Sequence, residues 1–235
     1  MLTGCEPPHL PGKPDPADRP RTPSQILAFD ELFAHNCAGC HGVQGKLGPA
    51  PPLDDPLFLN IVSVEQLSAV IESGRRDTPM PAFLRAHGGT LTDEQVAVLA
   101  AGLLKHWKTD QKFAEPLPAY QVAASDNDAD TAGQVDRGKQ VFARACAKCH
   151  GENGEGGHVG AINDPDFLAI ISDQALRRIV ITGRADLGMP NYAQDDGRAP
   201  GFKPLSESEI DELVALLASW RRPPNAEPKK VASRP

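Results

Sequence analysis

Apolar residues recur at helical spacing in several separate stretches of the chain. Ile26, Phe29, Leu32 and Phe33 mark one face of a helix ahead of residue 37, and Val135, Val141 and Phe142 mark another ahead of residue 146. Ser63-x-x-Gln66 is a capping-box signature opening a helix that carries Leu67, Val70 and Ile71, and Gly74 supplies its stop. The pattern returns at Ser172 with Leu176, Ile179, Val180 and Gly183, although Ala175 stands where the capping glutamine would be. Two last helices are predicted from Thr92-x-x-Gln95 and Ser206-x-x-Glu209; they carry Val96, Leu99 and Leu103, and Ile210, Leu213 and Leu217. No stretch keeps the alternation of a half-buried strand, so the expected class is all-α.

The predicted helices fall into two sets because the chain repeats itself. A shift of 109 residues aligns Cys37–Pro81 with Cys146–Pro190 without a gap, and 19 of those 45 positions are identical. They include Asp55-Pro56 with Asp164-Pro165, Phe58-Leu59 with Phe167-Leu168, and Gly74-Arg75 with Gly183-Arg184. Solenoid units run roughly 20–50 residues, so a period this long marks a duplicated domain. The expected organisation is a Pro-rich tether over 1–24, domains over 25–109 and 132–222, a linker over 110–131, and a flexible tail over 223–235. The linker ends in the polar run Ser125-Asp126-Asn127-Asp128-Ala129-Asp130.

Composition narrows the function. At 235 residues, 40% hydrophobic and 23% charged, the chain can bury two small cores, but aromatics make up only 5%. Twenty-four basic against 31 acidic residues give a net charge of −7, which excludes the basic footprint of a nucleic-acid binder and favours approach to a basic partner. The longest strongly apolar run, Val96–Leu104, is nine residues. That is half of the roughly 18 needed to span a bilayer.

Four cysteines carry the chemistry. They form two Cys-x-x-Cys pairs, each followed at once by histidine: Cys37-Ala-Gly-Cys40-His41 and Cys146-Ala-Lys-Cys149-His150. Cys-x-x-Cys alone serves a redox disulfide or half a zinc site. The adjoining histidine changes the reading to covalent c-type haem attachment, with two thioethers on the porphyrin edge and an imidazole on the iron. A four-thiolate zinc site would have to join pairs 106 positions apart, and no βαβ pattern surrounds either pair. The only methionines after Met1 are Met80 and Met189, each 39 residues beyond a motif histidine and each followed by proline. An isolated methionine often just fills a core gap. Two at equivalent points of a repeat read as thioether ligands, and His/Met coordination raises the haem potential and closes both axial positions.

On these motifs each half resembles a class I cytochrome c domain, and the whole is similar to tandem dihaem electron-transfer cytochromes. The resemblance covers about 25–109 and 132–222. It implies two three-helix domains in tandem joined by a flexible linker, two covalently bound haem c groups, and the axial pairs His41/Met80 and His150/Met189. A large flat apolar cofactor would also explain how cores close with so few rings. The first and last helices of each domain should cross near the haem edge. Gly138 and Phe142 match the small residue and the aromatic of that crossing. In the first half Phe33 matches, but Phe29 stands where the glycine would be, so a wider crossing is expected. Trp107 and Trp220 are either the aromatic partners there or ordinary core residues.

The likeness also implies that each axial histidine donates its second ring nitrogen to a carbonyl in a Gly-Pro loop. Gly48-Pro49 fits this, whereas the second half has Gly157-His158, so the haems need not share a potential. His158 itself reads as a solvent-facing loop residue. Arg75 and Arg184 either hold a haem propionate or pair with Asp77 and Asp186. Leu2-Thr3-Gly4-Cys5 resembles the lipobox of bacterial lipoproteins and makes Cys5 a candidate for lipidation; otherwise it is an incidental cysteine. With that anchor the chain is expected on the periplasmic side of the bacterial inner membrane. There it would pass single electrons between a quinol-oxidising complex and an oxidase, reaction centre or soluble carrier, free or as a subunit. The rivals are the cytochrome subunit of a periplasmic dehydrogenase and a dihaem peroxidase, which needs an openable axial site. The chain itself is read as a carrier rather than an enzyme.

Overall fold

The structure is a computed structural model that describes residues 20–76, 78–121, 131–195 and 198–221. Cys5 and Asp77, most of the tether, the acidic run of the linker and the tail from 223 lie outside these. Ten α-helices form among the described residues, and no strand does: α1 (Phe29–Asn36), α2 (Ala38–His41), α3 (Pro56–Ile61), α4 (Val64–Ser73), α5 (Asp93–Trp107), α6 (Thr131–Ala145), α7 (Ala147–His150), α8 (Pro165–Ala169), α9 (Asp173–Thr182) and α10 (Glu207–Ser219).

Local chemistry sets the helix starts. Ser63 and Gln66 exchange bonds at 3.2 and 2.9 Å to open α4, and Thr92 with Gln95 opens α5 in the same way. Ser206 and Glu209 do so for α10. At α9 the Ser172 side chain accepts from the Ala175 amide, and nothing returns the bond, as the missing glutamine predicts. Asp55 and Asp164 cap α3 and α8, each followed by a proline at the first helical position. Gln95 has a second task, since its amide nitrogen donates to the Pro23 and Ile26 carbonyls and ties the entering chain to α5.

Each repeat builds its own core, and the cores interlock. Leu32, Phe33, Leu59, Leu67, Leu99 and Leu103 bury the first; Phe142, Leu168, Ile181, Ile210, Leu213 and Leu217 bury the second. Leu57 of α3 sits in the second core, and Tyr120, before α6, sits in the first with its ring 5.7 Å from that of Phe58. The connection between the domains is therefore packed over its first half, where composition points to free chain. Ala114 exchanges hydrogen bonds with Gln194 at 2.7 and 3.2 Å, the Ala119 carbonyl accepts from Arg177 at 3.0 Å, and the Tyr120 carbonyl accepts from Gln174. Burial of Phe113, Leu117 and Tyr120 supplies the driving force that a polar linker lacks.

The two helix crossings are made by opposite means. In the second domain Gly138 of α6 lies against the Glu212 carbonyl and Leu216 of α10, so the backbones approach directly. In the first, Gly102 of α5 receives the ring of Phe29, and the glycine has moved to the partner helix. A ring's thickness between the helices is the wider crossing expected there. Trp107 meets Phe33 edge-on at 5.0 Å and Trp220 meets Phe142 at 5.3 Å; each indole also covers a loop glycine, Gly45 or Gly154.

Candidate haem sites

Both Cys-x-x-Cys-His motifs adopt the same shape. A short helix (α2 or α7) starts after the first cysteine and ends at the histidine, and the next glycine, Gly42 or Gly151, turns the chain with φ of 81° or 79°. The loop then folds back over the motif, so tightly that a side chain at Gly48 would strike the Cys40 carbonyl and one at Gly157 the Cys149 carbonyl. All four cysteines are free thiols. Burial, and then the neighbouring cysteine, push the Cys37 and Cys146 thiols up to about 12. These two thiols are therefore protonated near neutral pH. The two cysteine pairs lie in different domains and form no shared metal cluster among the described residues.

The histidines differ. His41 Nδ1 donates to the Pro51 carbonyl at 2.9 Å, which fixes the ring and leaves the Nε2 lone pair as its free donor. The acceptor lies two residues beyond the expected Gly48-Pro49. Burial pulls the His41 pKa down to about 4; the Pro51 bond opposes this, and Arg178, Arg75 and Arg184 add to it. The ring is thus neutral near pH 7, the form that ligates a metal. Gly160 is the counterpart of Pro51, and its carbonyl offsets some of the burial that lowers the His150 pKa. It does not reach bonding geometry, and His150 Nδ1 is buried without a hydrogen-bond partner. His158 is exposed.

The methionine segments are built alike. Gly74 and Gly183 take φ of 66° and 70°, and the Arg75 and Arg184 amides donate to the Met80 and Met189 carbonyls at 3.0 and 2.9 Å. Met80 and Met189 are half-buried, and Met189 packs on the same core as Cys146. The arginine side chains diverge. Arg184 makes a two-pronged pair with Asp186 at 2.9 and 2.8 Å, while Arg75 donates to the Tyr120 hydroxyl at 2.6 Å. Neutral imidazoles, one of them anchored, paired free thiols and glycine loops folded over them fit a thioether-linked haem in each domain. The contributions of Pro51, Tyr120 and Arg178 are not visible from the motifs, because each acts across a loop or from the other domain.

Comparison with known families agrees with this geometry. Residues 135–221 match the family model "Cytochrome c", and residues 24–101 match "Cytochrome C oxidase, cbb3-type, subunit III". Among curated proteins, the cbb3-type cytochrome c oxidase subunit FixPc of Rhizobium leguminosarum is 33% identical over 205 residues, covering 83% of this chain and 60% of that one. The cbb3-type subunit CcoP of Rhodobacter capsulatus is 32% identical over 199 residues, covering 80% and 60%. The cbb3-type subunit FixP of Rhizobium etli is 33% identical over 200 residues, covering 82% and 60%. The chain therefore spans 60% of the length of these relatives.

Proposed function

We propose that this chain, a tandem of two cytochrome c-type domains with two covalently bound haem c groups, is an electron-transfer subunit of a membrane terminal oxidase complex. The observation that carries the reading is the pair of like-folded Cys-x-x-Cys-His helices, each accompanied by a Gly-Arg-Met segment closed by an Arg amide to Met carbonyl bond, in a chain whose relatives are named as cbb3-type oxidase subunits. Cys37, Cys40, Cys146 and Cys149 would form the thioethers. His41 with Met80, and His150 with Met189, would fill the axial positions. Bound there, haem supplies a one-electron couple at an iron with no open site.

The residues divide the work. The Pro51 carbonyl holds the His41 ring in place, and its bond makes that imidazole the stronger donor, which favours the oxidised iron of the first domain. His150 lacks the bond, and this difference by itself would raise the potential of the second haem relative to the first. Electrons entering the first domain would then run downhill to the second. The chain is read as a carrier within an enzyme complex, placed on the periplasmic side of the inner membrane, where lipidation of Cys5 would hold it. No helix among the described residues is long and apolar enough to cross a membrane.

The test is an optical titration of the purified protein with haem quantified per chain. Two low-spin haems, a Met–iron charge-transfer band, two resolved potentials and no response to carbon monoxide are expected. A high-spin haem or one that binds carbon monoxide would overturn the closed sites and bring a peroxidase-type reading forward.

A further inference from the structure

Three guanidinium groups converge where the domains meet, and among the described residues only one of them has a carboxylate partner. Arg184 is neutralised by Asp186. Arg75 has a phenol, Tyr120, as its side-chain partner. Arg178 of α9 is 5% exposed, its guanidinium lies 3.4 Å over the Phe58 ring, and one Nη donates to the Pro52 carbonyl. Its Nε–H is buried and bonded to nothing. Among the described residues neither Arg75 nor Arg178 forms an ion pair. Asp55 acts on Arg178 at longer range while its own carboxylate accepts from the Phe58 amide at 2.7 Å. Burial draws the Arg178 pKa down to about 10, which still leaves it charged near neutral pH.

A buried cation with an open donor is costly unless an anion completes it. The place of this one is telling. Pro52 follows Pro51, the residue that anchors His41, and all three arginines act electrostatically on that histidine. The anion that belongs at such a place is the cofactor's own, because a haem carries two carboxylates. We propose that Arg178 reaches out of the second domain to hold a propionate of the first domain's haem through its Nε–H, with Arg75 as the neighbouring donor. The first haem is then bound by both domains, and its charge balance depends on their docking. This rests on reading Cys37, Cys40 and His41 as a haem site.

The experiment uses the full holoprotein with Arg178→Met, Arg178→Lys and Phe58→Leu. A count of two haems per wild-type chain tests the underlying haem-site reading first and on its own. The resonance Raman propionate-bending bands and a spectroelectrochemical titration are then recorded. Arg178→Met should shift the bending band of one haem and lower that haem's potential, since a nearby cation favours the reduced iron, while the other haem stays put. Arg178→Lys should restore part of both shifts. Repeated in a Met80→Ala background, which marks the first haem spectrally, the shift must follow the marked haem. Phe58→Leu, which loosens the stacking but keeps the charge, should move the band only to the extent that it opens the X-ray scattering profile. Unchanged bands in Arg178→Met beside an opened profile would show an arginine that only docks the domains, and would overturn the proposal. So would a shift that follows the second haem. If Arg178→Met gives no protein, the band shift in Arg178→Lys decides.

Discussion

Replacing Gly138 with alanine should force α6 and α10 apart, and the size of the effect can be worked from the contact. The new Cβ would collide with the Glu212 carbonyl oxygen and lie 2.9 Å from its carbon and 3.0 Å from Leu216 Cβ, where ordinary contact begins at 3.4 Å. The obstacle is backbone, so the helices must separate along their length. Overpacking costs ~1–3 kcal/mol, and a backbone obstacle puts this site at the upper end, ~2–3 kcal/mol, against which alanine returns ~1 kcal/mol of helix propensity. The expected net loss is about 1–2 kcal/mol, or roughly 5–15 °C in the Tm of a domain this size. Gly102→Ala is the internal control. Its Cβ would meet the Phe29 ring, a half-buried side chain stacked 4.3 Å from His106, and a ring can turn where a carbonyl cannot. Its loss should be smaller, about 0–1 kcal/mol. Thermal melts of the holoprotein by far-ultraviolet circular dichroism, with hydrogen exchange to assign the loosened domain, give both values. A Gly138→Ala protein as stable as wild type, or a Gly102→Ala protein that suffers more, would refute the reasoning.

Met80→Ala and Met189→Ala should each keep both haems attached while opening one iron to carbon monoxide; loss of covalent haem or an unchanged spectrum would remove that methionine as a ligand. Arg177→Met gives up bonds to the Ala119 carbonyl, Glu207 and Asp211. Because both carboxylates are exposed by a third or more, the loss should be only about 1–2 kcal/mol, and limited proteolysis near residue 119 should speed up. The two hydrogen bonds from Arg184 hold the Asp186 carboxyl below the usual range. Its contribution to stability is therefore present above the ordinary aspartate pKa and lost as pH falls through the depressed one. Asp186→Asn should flatten that acid limb of the pH–stability curve, and an identical limb in the variant would remove Asp186 as its source.

The repeat makes much of this molecule legible. Capping boxes at Ser63, Thr92 and Ser206 are local, so the residues that make them lie within one turn, and each helix starts where its cap says. The Cys-x-x-Cys-His motifs, and the methionines proposed as their ligands, stand out for another reason, since equal spacing in two copies marks them off from residues that occur in only one copy. The acceptor for His41 lies two positions past the expected one, and a backbone carbonyl carries no side-chain signature that could locate it. Pro51 marks it in the first copy, and Gly160 leaves it unformed in the second. The linker's polar end dominates its composition, while its packing is set by three apolar residues, Phe113, Leu117 and Tyr120, spread over its first half.

Differences between the copies carry the rest. Matched positions report what one domain needs to fold around its cofactor, so they describe each half as though it stood alone. Arg177 and Arg178 stand where the first copy has Ser68 and Ala69. On a free-standing helix whose apolar face is Leu176, Ile179 and Val180, two arginines would be a solvated edge, as exposed Ala69 is in its own domain. They are 0% and 5% exposed instead, one seized by the incoming linker and the other by the first domain's haem loop. An arginine pair that breaks a repeat on an otherwise equivalent helix is thus a signal for the contact between copies. It points to the same locus that Tyr120 and Arg75 reach from the other side. The asymmetry that would let two similar haems work at different potentials lies in those mismatches, at His158, Gly160 and Arg178.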